Sequence, residues 1–278
     1  MFKQIWMVGA MSLMVIIANA QQSALRAVPL KKVMELKMPR TTEDENPGTR
    51  GGSVVWHPIQ KRYFANFCGN ATYPLAFFDV TGKLLSEDNL SCQVDLRGLW
   101  YNPIKKLIQG NGYGEIGWVS YQFDKNGIPN QVNTIREGMF QPGEHAVGFY
   151  HALKNKVIFL SGKEVYYYSP VDQSVSDTLL LQWGRTKAEG PAEEDYIYET
   201  PEAYNYTSLV FTGIKAAEIG VLNADTHVIE LYDEKTGFLT RRLTIPETVP
   251  VESAFNFSFA NGIFWLFNIE ARTWIGLK

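Results

Sequence analysis

Apolar residues along this chain fall in short runs bounded by Gly, Asn, Asp and Pro, the signature of strands joined by tight turns. One run shape recurs. Residues 53–59 read Ser-Val-Val-Trp-His-Pro-Ile, residues 98–104 Gly-Leu-Trp-Tyr-Asn-Pro-Ile and residues 147–153 Val-Gly-Phe-Tyr-His-Ala-Leu. The shape returns at 208–214 and, more loosely, at 256–262, placing Trp56, Tyr101, Tyr150, Phe211 and Phe259 in one column. The steps between them are 45, 49, 61 and 48 residues, a period that points to a propeller or a solenoid.

Each unit continues with a second apolar run and then a third that alternates or is rich in aromatics: Leu75–Asp79, Trp118–Phe123, Glu164–Tyr168, Val228–Tyr232 and Thr273–Gly276. Corners such as 79–82 (Asp-Val-Thr-Gly), 124–127 (Asp-Lys-Asn-Gly) and 233–237 (Asp-Glu-Lys-Thr-Gly) follow several of them. They are hairpin chemistry, because Asp accepts local backbone hydrogen bonds and Gly takes positive φ. With a fourth strand, as at Phe238–Ile245, each unit is a propeller blade. The last unit runs out of chain after three strands, while residues 30–38 resemble the fourth strand of unit four. The expectation is therefore an all-β, five-bladed propeller of four-stranded antiparallel blades, closed by an N-terminal strand. The blades span about 50–94, 95–143, 144–184, 204–248 and 252–278 plus 30–38, and residues 185–206 form an insertion. A six-bladed ring with a degenerate strand set inside that insertion is the alternative.

Composition agrees with a single domain over 21–278: 45% apolar and 20% charged residues suffice for a core, and 16 Phe, 14 Tyr and 7 Trp favour strands. The net charge of −3 offers no basic field for nucleic acid. Residues 1–20 have the three parts of a cleaved export signal: Lys3, an apolar stretch from Ile5 to Ile17, and Ala18-Asn19-Ala20 before Gln21. The stretch is short for a membrane span, and no later segment is apolar enough for one. Its shape resembles signal peptides of Gram-negative bacteria of the Bacteroidetes type, which implies a periplasmic or extracellular protein. There Cys68 and Cys92 would be chemically permitted to form a disulfide.

The Asp-x-x-Gly corners and aromatic strands over residues 30–278 resemble the degenerate blades of secreted bacterial β-propellers of the NHL or YWTD-like kind. That resemblance implies the fold and leaves function open, since propellers host binders, hydrolases, lyases and lactonases. Gly112-x-Gly114-x-x-Gly117 matches a dinucleotide fingerprint in letters, but strand-like residues 118–123 follow where a helix is required, so a hairpin turn is expected. His57 and His151 share a repeat column, which predicts a structural role. Zinc-hydrolase and serine-esterase signatures are absent. The pairs Lys31-Lys32, Lys61-Arg62, Lys105-Lys106 and Arg241-Arg242 read as a solvated rim.

The candidate site is the column just before each innermost strand: Arg50, Asp95, Glu144, Asn205 and Ser253, with Glu252 beside the last. These loops converge on one channel mouth together with Arg97, His145, the 110–117 turn, the Cys68–Tyr73 loop and the insertion, which carries Tyr204 and six carboxylates. Arg50, Arg97, His145, Tyr204 and Asn205 are candidate ligand contacts, suited to a small polar ligand, a glycan or a segment of another protein. Two functions follow. The first is an exported binding or interaction module. The second is a carbohydrate or lactone hydrolase using Asp95, Glu144 and Glu252, to which Asn205 could add an oxygen for Ca²⁺. Arg50, where five-bladed glycosidases are expected to carry a carboxylate, weighs against the second. No organic cofactor is implied.

Overall fold

The computed structural model describes residues 25–40, 49–69, 71–86, 92–191 and 200–278. The leader at 1–20 lies outside the described residues, as do Glu193, Glu194, Asp195, Tyr196, Tyr198 and Glu199 of the insertion. The described chain is a ring of five blades, with a separate two-stranded pair of Tyr73–Pro74 and Gln93–Val94 beside blade 1, and the six-bladed alternative is excluded.

Blade 2 runs outward as Leu96–Asn102, Leu107–Gly112, Trp118–Phe123 and Pro129–Arg136, and blade 3 as Phe149–His151, Lys156–Ser161, Glu164–Tyr168 and Val175–Leu180. Blade 1 has Arg50–His57, Arg62–Cys68 and Ala76–Phe78, with its outer position reduced to a bridge between Phe78 and Leu84. Blade 4 comprises Tyr204–Phe211, Ile219–Asn223, Val228–Tyr232 and Phe238–Thr244. It is widened by two parallel additions, Val28–Pro29 and Gln182–Thr186, so the insertion begins as an edge strand rather than a loop.

Closure occurs in blade 5. Phe257–Ala260, Ile263–Asn268 and Thr273–Leu277 come from the end of the chain, and Lys32–Lys37 supplies the outer strand with Glu35 opposite Ile275 and Leu36 opposite Trp274. The two ends of the chain thereby satisfy each other's sheet edge.

Each blade is apolar on both faces, so a cluster forms at each blade-to-blade boundary rather than in one central core. Phe64 and Phe77 meet Leu99 and Tyr121 between blades 1 and 2, and Trp100 and Trp118 meet Tyr150 and Phe159 between blades 2 and 3. Ile158 and Tyr167 meet Val221 and Tyr232 between blades 3 and 4, and Leu222 and Ile229 meet Phe257 and Leu266 between blades 4 and 5. Leu36, Tyr63 and Val54 meet Trp265 and Trp274 across the closure.

The dinucleotide-like glycines form a turn, as the strand-like residues after them predict. Gly114–Ile116 is one turn of 3-10 helix between two strands, and Gly117 turns the chain at φ 76° where a Cβ would strike the carbonyl of Arg136. The histidine column is structural. His57 Nδ1 accepts the N–H of Gln60 at 3.3 Å and His151 Nδ1 that of Lys154 at 3.1 Å, at the turn after each inner strand. Asn102 and Thr212 do the same in blades 2 and 4, where Asn102 Oδ1 accepts from Ile104 and Thr212 Oγ1 from Ile214. Burial holds the His57 imidazole below its ordinary value, and it does so at His151 too, where Glu234 at 2.8 Å pulls the other way.

Two outcomes follow. Leu36→Ala, at a fully buried closing position, should cost about 2–5 kcal/mol in urea unfolding, while Val33→Ala on the exposed side of the same strand should stay within about 1 kcal/mol. Because the fold favours neutral His57, the unfolded chain takes up the proton more readily. Stability from this residue is therefore full above about pH 6.5 and is lost as pH falls towards the lowered folded value. His57→Asn keeps the turn acceptor, as Asn102 does, and should shrink the drop in urea midpoint between about pH 7.5 and about pH 5.5; an unchanged drop would refute this assignment.

Candidate functional site

Inner strands enter the channel through irregular backbone. Register shifts fall between Gly51 and Val54, between Leu96 and Gly98, and between Tyr204 and Leu209. Such bulges re-aim side chains at rims. In blade 2 the shift turns Arg97 into the channel, where it is only 1% exposed, and its Nη1 donates to Asp95 Oδ1 at 2.5 Å.

Around this ion pair the mouth is built from residues of blades 2, 3 and 5. Tyr113, on the 110–117 turn, lies over the Arg97 guanidinium at 4.3 Å from ring centroid to Cζ. Its N–H donates to the Asp95 carbonyl at 3.0 Å and its hydroxyl to Glu144 Oε2 at 3.1 Å. His145 stacks on Tyr113 at 5.8 Å, and Phe255 stands edge-on to His145 at 5.9 Å. Arg97, with its charge spread over a planar guanidinium, suits this sandwich of rings.

Burial raises the Asp95 carboxyl above its ordinary range, and the Arg97 guanidinium offsets part of that rise. Its ion pair with Arg97 commits Asp95 to neutralising a buried cation. Beneath the mouth, burial pushes the Cys68 thiol up to about 12. Cys68 and Cys92 are both buried and are not bonded to one another in this structure. Cys68 lies opposite Arg50 at the end of its strand, whereas Cys92 packs with Phe64, Phe77 and Leu96 between blades 1 and 2.

The open space here is a concavity of about 230 Å³ lined by Arg50, Gly69, Arg97, His145, Tyr206, Ala254 and Phe255. It carries two guanidiniums and an imidazole, and among the described residues no carboxylate lines it. A second concavity of about 630 Å³ adjoins it through His145 and Tyr206 and extends between blades 3 and 4, past Glu144, Ser161, Thr200 and Glu202.

The structure thus brings Arg50, Asp95, Arg97, Glu144 and His145 to one mouth. It places three others differently. Asn205 is fully buried: Nδ2 donates to the carbonyls of Glu252 and Phe255 at 3.0 and 2.8 Å, and Oδ1 accepts the N–H groups of Thr207 and Ser208. It pins the 252–255 loop and has no oxygen to offer a ligand. Tyr204 is buried against Trp183 at 4.4 Å with its hydroxyl donating to Glu230 at 2.8 Å, and only borders the larger concavity. Glu252 lines neither concavity. Among the described residues no group of three or more His, Cys, Asp or Glu is placed to hold a metal ion. Tyr113 and Phe255 carry no signal of their own in the sequence, where only the 110–117 turn points to this mouth.

No family model matches the chain, and no curated protein sequence matches it. Solved structures do. A glutaminyl cyclase from Myxococcus xanthus superposes with a TM-score of 0.55 at 11% identity, covering 91% of this chain and 98% of that one. The β-propeller domain of Cps50 (Swd1) from Myceliophteria thermophila gives 0.46 at 8% identity over 90% and 99% of the two chains. A Bacteroides caccae protein of unknown function gives 0.39 at 12% identity over 80% and 72%. At 11% identity the likeness to the Myxococcus xanthus enzyme is one of fold alone. No helix among the described residues is long and apolar enough to cross a membrane.

Breaking the buried pair from one side tests this geometry. Asp95→Asn leaves Arg97 charged in the channel and should cost about 3–5 kcal/mol in urea unfolding. The double variant Asp95→Asn with Arg97→Met removes both charges and should recover most of that loss; equal losses in the two variants would contradict the pairing.

Proposed function

We propose that this chain is a binding propeller, exported by its N-terminal leader, whose polar channel mouth receives a small ligand through a carboxylate. The observation that carries the reading is the lining of the 230 Å³ concavity, where Arg50, Arg97 and His145 converge and, among the described residues, no acid does. Asp95 holds Arg97 from the far side, fixing the guanidinium before a ligand arrives, and such preorganisation lowers the ordering cost of binding. Planar guanidiniums match carboxylates in a two-pronged way. The rings of Tyr206 and Phe255 offer apolar faces to the body of the ligand, as expected of a site for a sugar acid or an amino-acid derivative.

The hydrolase reading finds less support. Asp95 is engaged by Arg97 and Glu144 by the Tyr113 hydroxyl. The propeller fold itself is consistent with an interaction module.

Glucuronate and glucose, which differ at one carbon, test the proposal by isothermal titration calorimetry, with N-acetylglutamate and citrate as further carboxylates. At least one carboxylate should bind, and Arg50→Ala should weaken it by about tenfold or more, the worth of a charge-assisted hydrogen bond. Glucose binding as well as glucuronate, or no carboxylate binding at all, would overturn it.

A further inference from the structure

The opposite end of the channel is a third concavity, of about 490 Å³, and its chemistry is the reverse of that at the polar mouth. All five aromatics of the repeat column line it, Trp56, Tyr101, Tyr150, Phe211 and Phe259, and among the described residues no charged one does. A repeated residue that only packed between blades would have no reason to reach this opening; here one ring from every blade borders the same axial space.

The rim is formed by the turns between first and second strands. Three of them project bare aliphatic tips: Ile59, Ile104 and Leu153 are 62%, 67% and 78% exposed. Pro58, Pro103, Ala152 and Gly213 extend the apolar lining up to these tips. Large aliphatic side chains at such exposure, gathered on one mouth, mark an interaction site more often than a chance surface.

The charges sort the same way. The five turns, residues 58–61, 103–106, 152–155, 212–218 and 261–262, carry Lys61, Lys105, Lys106, Lys154 and Lys215 against a single acid, Glu218, whose Oε1 accepts the Ala216 N–H at 2.9 Å. All five lysines are exposed, and Lys154 reaches Glu234 at 2.8 Å. In a chain of net charge −3 this is a local reversal of sign. An apolar funnel inside a basic crown is complementary to a molecule with an apolar body and a negative end.

We propose that this mouth is a binding site for an amphipathic anion, with the apolar body in the aromatic funnel and the anionic group on the lysine crown. The funnel is within the size range of small-molecule sites and is concave on the axis, which favours an inserted molecule over a flat bilayer surface. The site is independent of the polar mouth, and its test is unaffected by the ligand bound there.

The probe is 1-anilinonaphthalene-8-sulfonate, an aromatic monoanion whose fluorescence rises in apolar surroundings, displaced by dodecanoate. The wild-type protein should bind the probe at one saturable site, and dodecanoate should displace it at least about fivefold more effectively than dodecyltrimethylammonium. Ile104→Asp with Leu153→Asp, at exposed positions that leave the blade cores untouched, should weaken probe binding by roughly tenfold. Lys105→Glu with Lys215→Glu should weaken it roughly fivefold, with the unfolding midpoint unchanged. Arg50→Ala, at the other mouth, should leave it unaltered. Probe binding that ignores both double variants, equal displacement by the cationic detergent, or sedimentation with phosphatidylglycerol vesicles that leaves the bound probe in place would each overturn the proposal.

Discussion

A ring of only five blades brings the inner strands so close that their channel-facing backbone edges must be satisfied across the axis. An unpaired strand edge buried in a narrow channel would leave N–H and C=O groups without partners. Here side chains of neighbouring blades fill the gap. Asn256 exchanges bonds with Gly51, its Oδ1 accepting the Gly51 N–H at 2.7 Å and its own N–H reaching the Gly51 carbonyl at 2.9 Å. Ser258 both accepts from and donates to Val54 at 3.0 Å. Asn111 Nδ2 donates to the Ala146 carbonyl at 2.9 Å and its Oδ1 accepts from Gly148 at 3.0 Å. Asn205 performs the equivalent task between blades 4 and 5. The approach is tight enough that a Cβ on Gly98 would fall 2.5 Å from the Gly148 nitrogen.

This constraint explains which parts of the molecule sequence reading recovers. The blades are legible because the same burial problem is solved five times: Trp56, Tyr101, Tyr150, Phe211 and Phe259 recur where each inner strand meets its turn. The closing strand is legible for the same reason, since a lone three-stranded blade calls for an edge partner of the right pattern. The polar mouth is partly legible, because Asp95, Glu144 and His145 stand in loops before inner strands and Arg50 opens one, all on one face. Asn205 and Tyr204 fail the same argument because the bulge between Tyr204 and Leu209 turns that stretch, sending Asn205 to the backbone edge and Tyr204 into the blade. A column count assumes regular register, and the channel rim is where register breaks.

The two mouths divide the polarity of the chain. At one, strand bulges deliver guanidiniums and an imidazole, and a buried carboxylate fixes the innermost cation. At the other, regular strand ends deliver aromatic rings, capped turns hold aliphatic tips outward, and lysines surround them. His57, Asn102, His151 and Thr212 make this second mouth rigid by accepting turn N–H groups, so the histidine column serves as scaffold for a surface rather than as chemistry. The aromatic column looks at first like core alone. Its half-exposed rings, Trp56, Tyr101 and Phe259, face the lumen as well as the blade.

The central claim is that the polar mouth is an anion site organised around Arg97. Its most direct test is a crystal structure of the protein soaked in acetate. A carboxylate should appear between Arg50, Arg97 and His145, with the Asp95–Arg97 pair intact behind it. A mouth without acetate while the ion binds elsewhere, or a cation seated between Asp95 and Glu144, would contradict it.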